Sequence, residues 1–423
     1  MSTPRPTRRT VLRGATALGA SLPFVRTGPL RDRLQLAAVG VANRGAANIA
    51  GVLSHDVVAL SDVDSNMLAR GVGQVERAEQ PTPRTYADWR ELLDREKDLD
   101  GIVVSTPDHT HAAVARAALR RGLPVYCEKP LTRTVAECRE LQALARKAKV
   151  PTQMGTQIHS GDNYRRVVEA IRAGAIGDVH TVHVICSKTW SNGRFGEEKP
   201  SAPEGLDWDL WLGPTPERAY SEGIHPASWR KFWAFGSGTV GDMACHWVDL
   251  VHWALDLGVP KTIEAEGPEI HPDGTPEWLH VRWGHPAEGE RGAVDVHWWD
   301  GGMKPEFAPK SDCHVFLGTR GRIVSTYGSM EVELADPDAL WTPPEPSIAS
   351  SPGHHAEWLQ AIQWGNADDP LCRFDYAAPL TETVLLATVA YRAGGKLTWD
   401  AATGTPSSGA EFLEEEERDG WNV

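Results

Sequence analysis

The chain has few cysteines, six in 423 residues, at positions 127, 138, 186, 245, 313 and 372, and no two of them form a Cys-x-x-Cys pair. That spacing excludes a thiolate zinc centre, and a chain this long can bury enough core to stand without disulfides. No metal site is expected. Positive charge is also in short supply: 43 Lys and Arg against 57 Asp and Glu leave a net charge of -14. Such a balance argues against a nucleic-acid partner. No internal repeat is present, and the uncharged stretch near the N-terminus falls short of the roughly 20 apolar residues that span a bilayer.

That N-terminal stretch is informative for a different reason. Thr7-Arg8-Arg9-Thr10-Val11-Leu12-Arg13 precedes the uncharged, modestly apolar run from Gly14 to Val25. Paired arginines followed by such a run form a twin-arginine export pattern. Residues 1–32 are therefore read as signal and linker. The expected partner is the twin-arginine export machinery, and the expected location is the periplasm or cell envelope.

The remaining length predicts two domains. From residue 33 to 152, apolar runs alternate with helical stretches, the pattern of a parallel sheet wound with helices. Strands are predicted at Leu34–Val39, Val57–Ser61, Gly101–Ser105 and Leu123–Cys127. Helices are predicted at Ala46–Leu53, Ala87–Arg95, His111–Arg121 and Val135–Lys149. Residues 153–423 hold sixteen of the seventeen tryptophans and several alternating runs, which indicates an α+β domain with a mostly antiparallel sheet. Its final helix is expected to pack back on the first domain. The Pro- and Trp-rich segment between Gly193 and Phe235 reads as a lid or binding loop. Glu414 to Glu417 reads as a solvated tail.

The motifs fall in the order a dinucleotide-binding domain would present them. Gly40-Val41-Ala42-Asn43-Arg44-Gly45 follows the first strand and opens a helix, so its backbone N–H groups would face a pyrophosphate. Gly40, Asn43, Arg44 and Gly45 are candidate cofactor contacts, although Ala42 adds a methyl group where phosphates approach. Asp62 ends the second strand, where a carboxylate accepts hydrogen bonds from an adenosine ribose; this favours NAD over NADP, with NADP left open. Asp64 could equally be the cap of the next helix. Thr106, Pro107, His109 and His111 close the third strand and either line the nicotinamide half of the cofactor or cap a helix. Glu128-Lys129-Pro130 ends the fourth strand, where a lysine could reach both nicotinamide and substrate, and Glu128 and Lys129 are candidate cofactor contacts. In the second domain, Asp242 and His246 lie four apart on one helical face, so the carboxylate could orient or charge an imidazole that acts as base. Tryptophans including Trp233 crowd this half and suit the C–H faces of sugar rings, or are simply core.

Together these residues resemble the Gfo/Idh/MocA family of oxidoreductases. The resemblance implies a Rossmann-type domain joined to an open-sheet domain, a nicotinamide cofactor, and substrates among sugars, inositols and related polyols. It assigns Lys129 to the reacting hydroxyl, His246 to acid/base work and Asp242 to its support. It also implies that Gln157, His159, Tyr164 and Arg165, in the passage to the second domain, contact ligands. Export adds a further expectation, since free NAD is scarce outside the cytoplasm: the cofactor is held tightly. Three activities stay open: a polyol dehydrogenase, a redox-neutral NAD-dependent glycoside hydrolase, and a non-catalytic carbohydrate-binding protein. A homo-oligomer is expected.

Overall fold

A computed structural model describes residues 32–196 and 201–421, so the twin-arginine segment lies outside the described residues. The first domain runs β1 (Gln35–Val39), α1 (Arg44–Val52), β2 (Asp56–Ser61), α2 (Ser65–Arg77), β3 (Arg84–Tyr86), α3 (Trp89–Arg95), β4 (Gly101–Val104), α4 (Asp108–Arg120), β5 (Val125–Cys127), α5 (Val135–Ala148) and β6 (Thr152–Met154). The six strands form one parallel sheet in the order β3-β2-β1-β4-β5-β6. Helices cover both faces, which is why β4 and β5 are buried along their whole length and read as unbroken apolar runs. Because β6 pairs with β5 at Thr152 to Met154, the first domain extends past the expected boundary at 152.

Local sequence sets the helix starts. Asp64 caps α2 by accepting from the amides of Asn66 and Met67, and Thr134 and Glu137 form a capping box at α5. Helix α2 is not among the helices that the sequence pattern predicts.

The second domain continues with α6 (Asp162–Arg172), β7 (Val179–Ile185), α7 (Trp208–Leu212), α8 (Gly238–Leu255), β8 (Thr262–Glu266), β9 (His280–His285), β10 (Val294–Trp299), β11 (Cys313–Gly318), β12 (Gly321–Ser325), β13 (Met330–Leu334), α9 (His354–Trp364), α10 (Phe374–Arg392), β14 (Lys396–Asp400) and β15 (Thr405–Pro406). Nine strands make a sheet in the order β13-β12-β11-β7-β10-β9-β8-β14-β15. It is antiparallel except where β7 meets β10. Strands β9 and β10 alternate buried and half-buried residues, as expected for a sheet with one face packed on helices.

Two late helices weld the domains. In α10, Glu382 pairs with Arg139 of α5 at 2.9 Å, and the Ala378 carbonyl accepts from the Cys138 thiol. In α9, Trp358, Leu359 and Ile362 enter the same core as Leu34, Leu36 and Val103 of the first sheet. The acidic tail is only half solvated, contrary to expectation: Glu414 and Glu416 are exposed, whereas Glu415 and Glu417 turn inward. Glu417 pairs with Arg116 at 2.8 Å and Glu415 with Arg133, and both arginine side chains are almost wholly buried. A buried guanidinium needs a counter-charge, and the tail supplies it.

Trp358 is fully buried, donates to the Pro151 carbonyl at 3.2 Å, and presses so close that a Cβ at Gly101 would lie 2.9 Å from its ring. Trp358→Ala should destabilise the folded chain by about 3–5 kcal/mol, read as a lowered denaturation midpoint. An unchanged midpoint would show that α9 does not join the two halves.

Candidate active site

Right-handed parallel crossovers bring the C-terminal ends of the strands to one edge of the first sheet. That edge carries the Gly40–Gly45 loop, Asp62, Thr106 and Lys129. The loop is tight: Gly40 has φ +80° and a Cβ there would lie 2.6 Å from the Ser105 carbonyl oxygen, while one on Gly45 would lie 2.1 Å from that of Gly40. Asn43, at φ 49°, does not cap α1, so the side chain leaves the first helical amides to other acceptors. Thr106 Oγ1 is buried without a partner among the described residues. Gly45 N donates to Ala42 O at 2.8 Å, while the Asn43 and Arg44 amides have no partner among the described residues; with the unpartnered Thr106 hydroxyl this cradle fits a dinucleotide, whose pyrophosphate residues 43 and 44 would hold and whose nicotinamide half Thr106 and Pro107 would line.

Asp62 is turned partly toward this loop. Its Oδ2 accepts from Val41 N at 2.9 Å and its Oδ1 from Asp64 N at 3.0 Å, leaving each oxygen one further lone pair for a ribose hydroxyl. Burial raises its carboxyl above the usual range, opposed by those two amides.

Several expected cofactor contacts serve other ends. Glu128 is buried and accepts from Asn48 Nδ2 at 3.0 Å and Gln157 Nε2 at 2.7 Å, so Glu128 and Gln157 tie α1 to the entry of the second domain. A Cβ on Gly155 would lie 2.6 Å from that carboxylate, which accounts for the glycine. Arg44 lies outside it, 3.9 Å away. His109 is wholly buried, with Nε2 donating to the Trp211 carbonyl at 2.9 Å. His111 stands between the carbonyls of Thr106 and Pro130, 2.8 Å from each. Burial makes both histidines struts beneath the site, although His109 Nδ1 has no partner among the described residues.

The centre is an ion pair between the two domains. Lys129 Nζ, from the end of β5, donates to Asp242 Oδ1 at 2.6 Å and to the Asp242 carbonyl at 2.9 Å on α8. Arg230 Nε reaches the same Oδ1 at 2.7 Å and Trp190 Nε1 reaches Oδ2 at 2.8 Å. Burial pushes the Asp242 carboxyl up, but the Lys129 and Arg230 cations outweigh it and hold it well below the carboxylate range. Asp242 spends Oδ1 on Lys129 and Arg230 and accepts from Trp190 at Oδ2, and it makes no hydrogen bond to His246, against the expectation that it orients the imidazole. His246 Nδ1 is buried and unpartnered among the described residues. Burial, then Lys129, lowers that imidazole to about 3 despite the opposing field of Asp242. It is held neutral rather than poised near pH 7.

Sequence reading missed Trp190, in the loop after β7, Arg230, in the aperiodic segment, and Asp108, the first residue of α4. Asp108 is buried with Oδ2 unpartnered among the described residues, and burial raises its carboxyl to about 7 against the pull of Arg230. No spacing rule links these three positions. Conversely, the expected substrate contacts form the scaffold behind His246. His159 pairs with Asp249 at 2.9 Å, Tyr164 donates to the His246 carbonyl at 3.0 Å, and Arg165 donates to the carbonyls of His159 and Ala349, both at 2.9 Å. Trp233 is buried and donates to the His271 carbonyl.

The segment read as a lid or binding loop is packed around its own aromatic core of Trp211, Tyr220, Trp229, Phe232 and Phe235, and it contributes Arg230 to the site. It docks on both loops flanking the glycine turn. Beyond β2, Ser65 N donates to Gly205 O and Asp207 N to Val63 O, each at 2.9 Å; beyond β4, Trp211 O receives His109. Arg418 near the C-terminus holds the segment from outside, donating to Gly213 O at 2.7 Å.

Comparison with known proteins agrees with this architecture. A family model described as "Oxidoreductase family, NAD-binding Rossmann fold" matches residues 34–156, and its companion, "Oxidoreductase family, C-terminal alpha/beta domain", matches residues 165–296. The chain belongs to the Gfo/Idh/MocA family of oxidoreductases, and its first domain is that family's NAD-binding Rossmann fold. It is similar to inositol 2-dehydrogenase 1 of Saccharopolyspora erythraea, 35% identical over 42% of this chain and 54% of the relative. It is also similar to a glycosyl hydrolase family 109 protein of Stenotrophomonas maltophilia, 26% identical over 53% of this chain and 49% of the relative. The chain thus matches about half the length of these curated relatives. Among solved structures, the WlbA dehydrogenase of Chromobacterium violaceum, in complex with NADH and UDP-GlcNAcA, superposes with a TM-score of 0.64 at 18% identity, covering 89% of this chain and 99% of that one. Levoglucosan dehydrogenase, in complex with NADH and levoglucosan, gives 0.60 at 16%, covering 90% and 100%. These likenesses concern the fold.

Asp242→Asn would leave Lys129 and Arg230 facing a neutral amide. Removing one partner of a buried pair costs about 3–5 kcal/mol, so the variant should melt well below the parent at pH 7. Because the folded carboxyl titrates below its unfolded value, this contribution is complete above about pH 4 and fades as pH falls further. The melting gap between parent and variant should therefore narrow below about pH 4; a gap independent of pH would mean that charge is not its cause.

Proposed function

We propose that the chain is an exported, NAD-dependent oxidoreductase that acts on a hydroxyl of a sugar, inositol or related polyol with its cofactor held tightly. The observation that carries this reading is the Lys129–Asp242 pair, joined across the two domains at the strand edge that bears the glycine turn, with His246 one helical turn away on α8. Bound NAD would supply the hydride acceptor. Lys129 keeps a third N–H donor for the substrate oxygen, and Asp242 fixes where that donor points. As a hydride leaves the carbon, the attached hydroxyl becomes that of a protonated carbonyl, a far stronger acid than imidazolium. Its proton therefore passes downhill to neutral His246, even with basicity as low as burial leaves it. Lys129 stabilises negative charge on the oxygen in the reverse direction.

Tight retention is supported by the segment that bridges the loops on either side of the glycine turn. Ser65→Pro tests it cleanly. Proline at the first position of α2 keeps the helix, and Asp64 before it is already extended, but the N–H donated to Gly205 is removed. With one hydrogen bond worth about 1 kcal/mol, NAD should dissociate roughly 5-fold faster, measured by displacement from the natively purified protein. An unchanged rate in a folded variant would separate the bridge from retention.

A redox-neutral glycoside hydrolase is the second reading, favoured by the glycosyl hydrolase family 109 relatives. There, oxidation of a ring hydroxyl would permit elimination of the aglycone, addition of water and return of the hydride. Purified protein carrying only its own NAD should be offered free polyols and, separately, aryl glycosides. Reduction of bound NAD by a polyol, lost at least 100-fold in Lys129→Met, is the expected result. Aglycone release without net NADH, also lost in Lys129→Met, would replace the dehydrogenase reading with the hydrolase. Binding of sugar with neither reaction would leave a carbohydrate-binding protein.

A further inference from the structure

One cation beside the reacting oxygen suffices for hydride transfer from a neutral polyol, yet Asp242 Oδ1 receives two, Lys129 Nζ and Arg230 Nε. Arg230 is the most open of the three charged groups: its side chain is 30% exposed, against 10% for Lys129 and 8% for Asp242. Among the described residues only its Nε is engaged, which leaves both Nη groups with donors to spend. Its orientation is fixed from two sides, by the carboxylate and by the Trp229 ring, whose centroid lies 4.0 Å from the guanidinium carbon. A guanidinium held in place with parallel donors unspent matches a planar oxyanion, which a lysine ammonium does not.

The neighbouring carboxylates leave this charge uncancelled. Glu128 is held by Asn48 and Gln157, with Arg44 outside it. Asp108 is buried with an unpartnered oxygen among the described residues, and burial raises its carboxyl to about 7, so it carries only part of a charge near neutral pH. Among the described residues, Lys129 and Arg230 thus share the one full negative charge of Asp242.

We propose that Arg230 is a specificity-determining residue whose Nη donors bind a carboxylate of the substrate, so that the preferred substrates are acidic sugars such as uronates rather than their neutral parents. This rests on the sugar-oxidoreductase reading and narrows it. The full, NAD-loaded protein should be titrated calorimetrically with matched pairs: glucuronate and glucose, galacturonate and galactose, mannuronate and mannose. At least one uronate should bind 10- to 100-fold more tightly than its parent hexose, the worth of a charge-assisted hydrogen bond. In Arg230→Met that preference should fall to about 1, and in Arg230→Lys it should survive in part, since charge remains and the fork is lost. Equal binding of uronate and hexose in every pair, or a preference that survives Arg230→Met, overturns the proposal. If Arg230→Met does not fold, the parent and Arg230→Lys titrations still decide. Tight uronate binding without reduction of bound NAD would uphold the subsite while ending the hydride-transfer reading, so the two fail separately.

Discussion

Everything at this site depends on one carboxylate shared between two cations. Asp242 sits on a helix of the second domain, Lys129 at a strand end of the first, and neither charge could stay buried alone. The pair therefore does structural and chemical service together. It fixes the two domains in register across the cleft, and it holds an ammonium where a substrate oxygen must come. Arg230 and Trp190 complete the coordination of the carboxylate, which leaves His246 free of it and neutral.

The surrounding fold can be understood as support for that pair. Lys129 is placed by a strand end whose neighbour Glu128 is anchored inward to Asn48 and Gln157, so consecutive side chains of one turn face opposite ways. The His246 backbone is braced by Tyr164, and behind it His159, Asp249 and Tyr376 form a buried hydrogen-bonded cluster. Around the rim, the aromatic segment bridges the loops beyond β2 and β4 while the acidic tail neutralises Arg116 and Arg133. A site so tied at its edges is consistent with a cofactor that stays in place between turnovers.

Much of this was legible in the sequence, for identifiable reasons. Parallel strands buried on both faces write themselves as apolar runs, and a glycine that must tolerate a carbonyl at 2.1 Å can be no other residue. Lys129, Asp242 and His246 were identified because their spacing and strand-end position carry chemistry. What failed was the direction of side chains. Nothing local says that Glu128 turns into the domain while Lys129 turns out, that His109 spends one ring nitrogen and His111 both on carbonyls, or that His159, Tyr164 and Arg165 lie behind the site. The inward turn of Glu415 and Glu417 was not legible because their partners, Arg133 and Arg116, are some 300 residues away in the chain. Arg230 and Trp190 escaped because one comes from a segment without periodicity and the other from the loop after β7, and only tertiary packing brings them to Asp242.

The central claim is that Lys129 and Asp242 act as one unit. A double-mutant cycle on the single-turnover reduction of bound NAD tests it, using Lys129→Met, Asp242→Asn and the combination. If the account is right, the double variant is no slower than the slower single variant, because either change already dismantles the pair. Losses that multiply would show two independent groups and would contradict it.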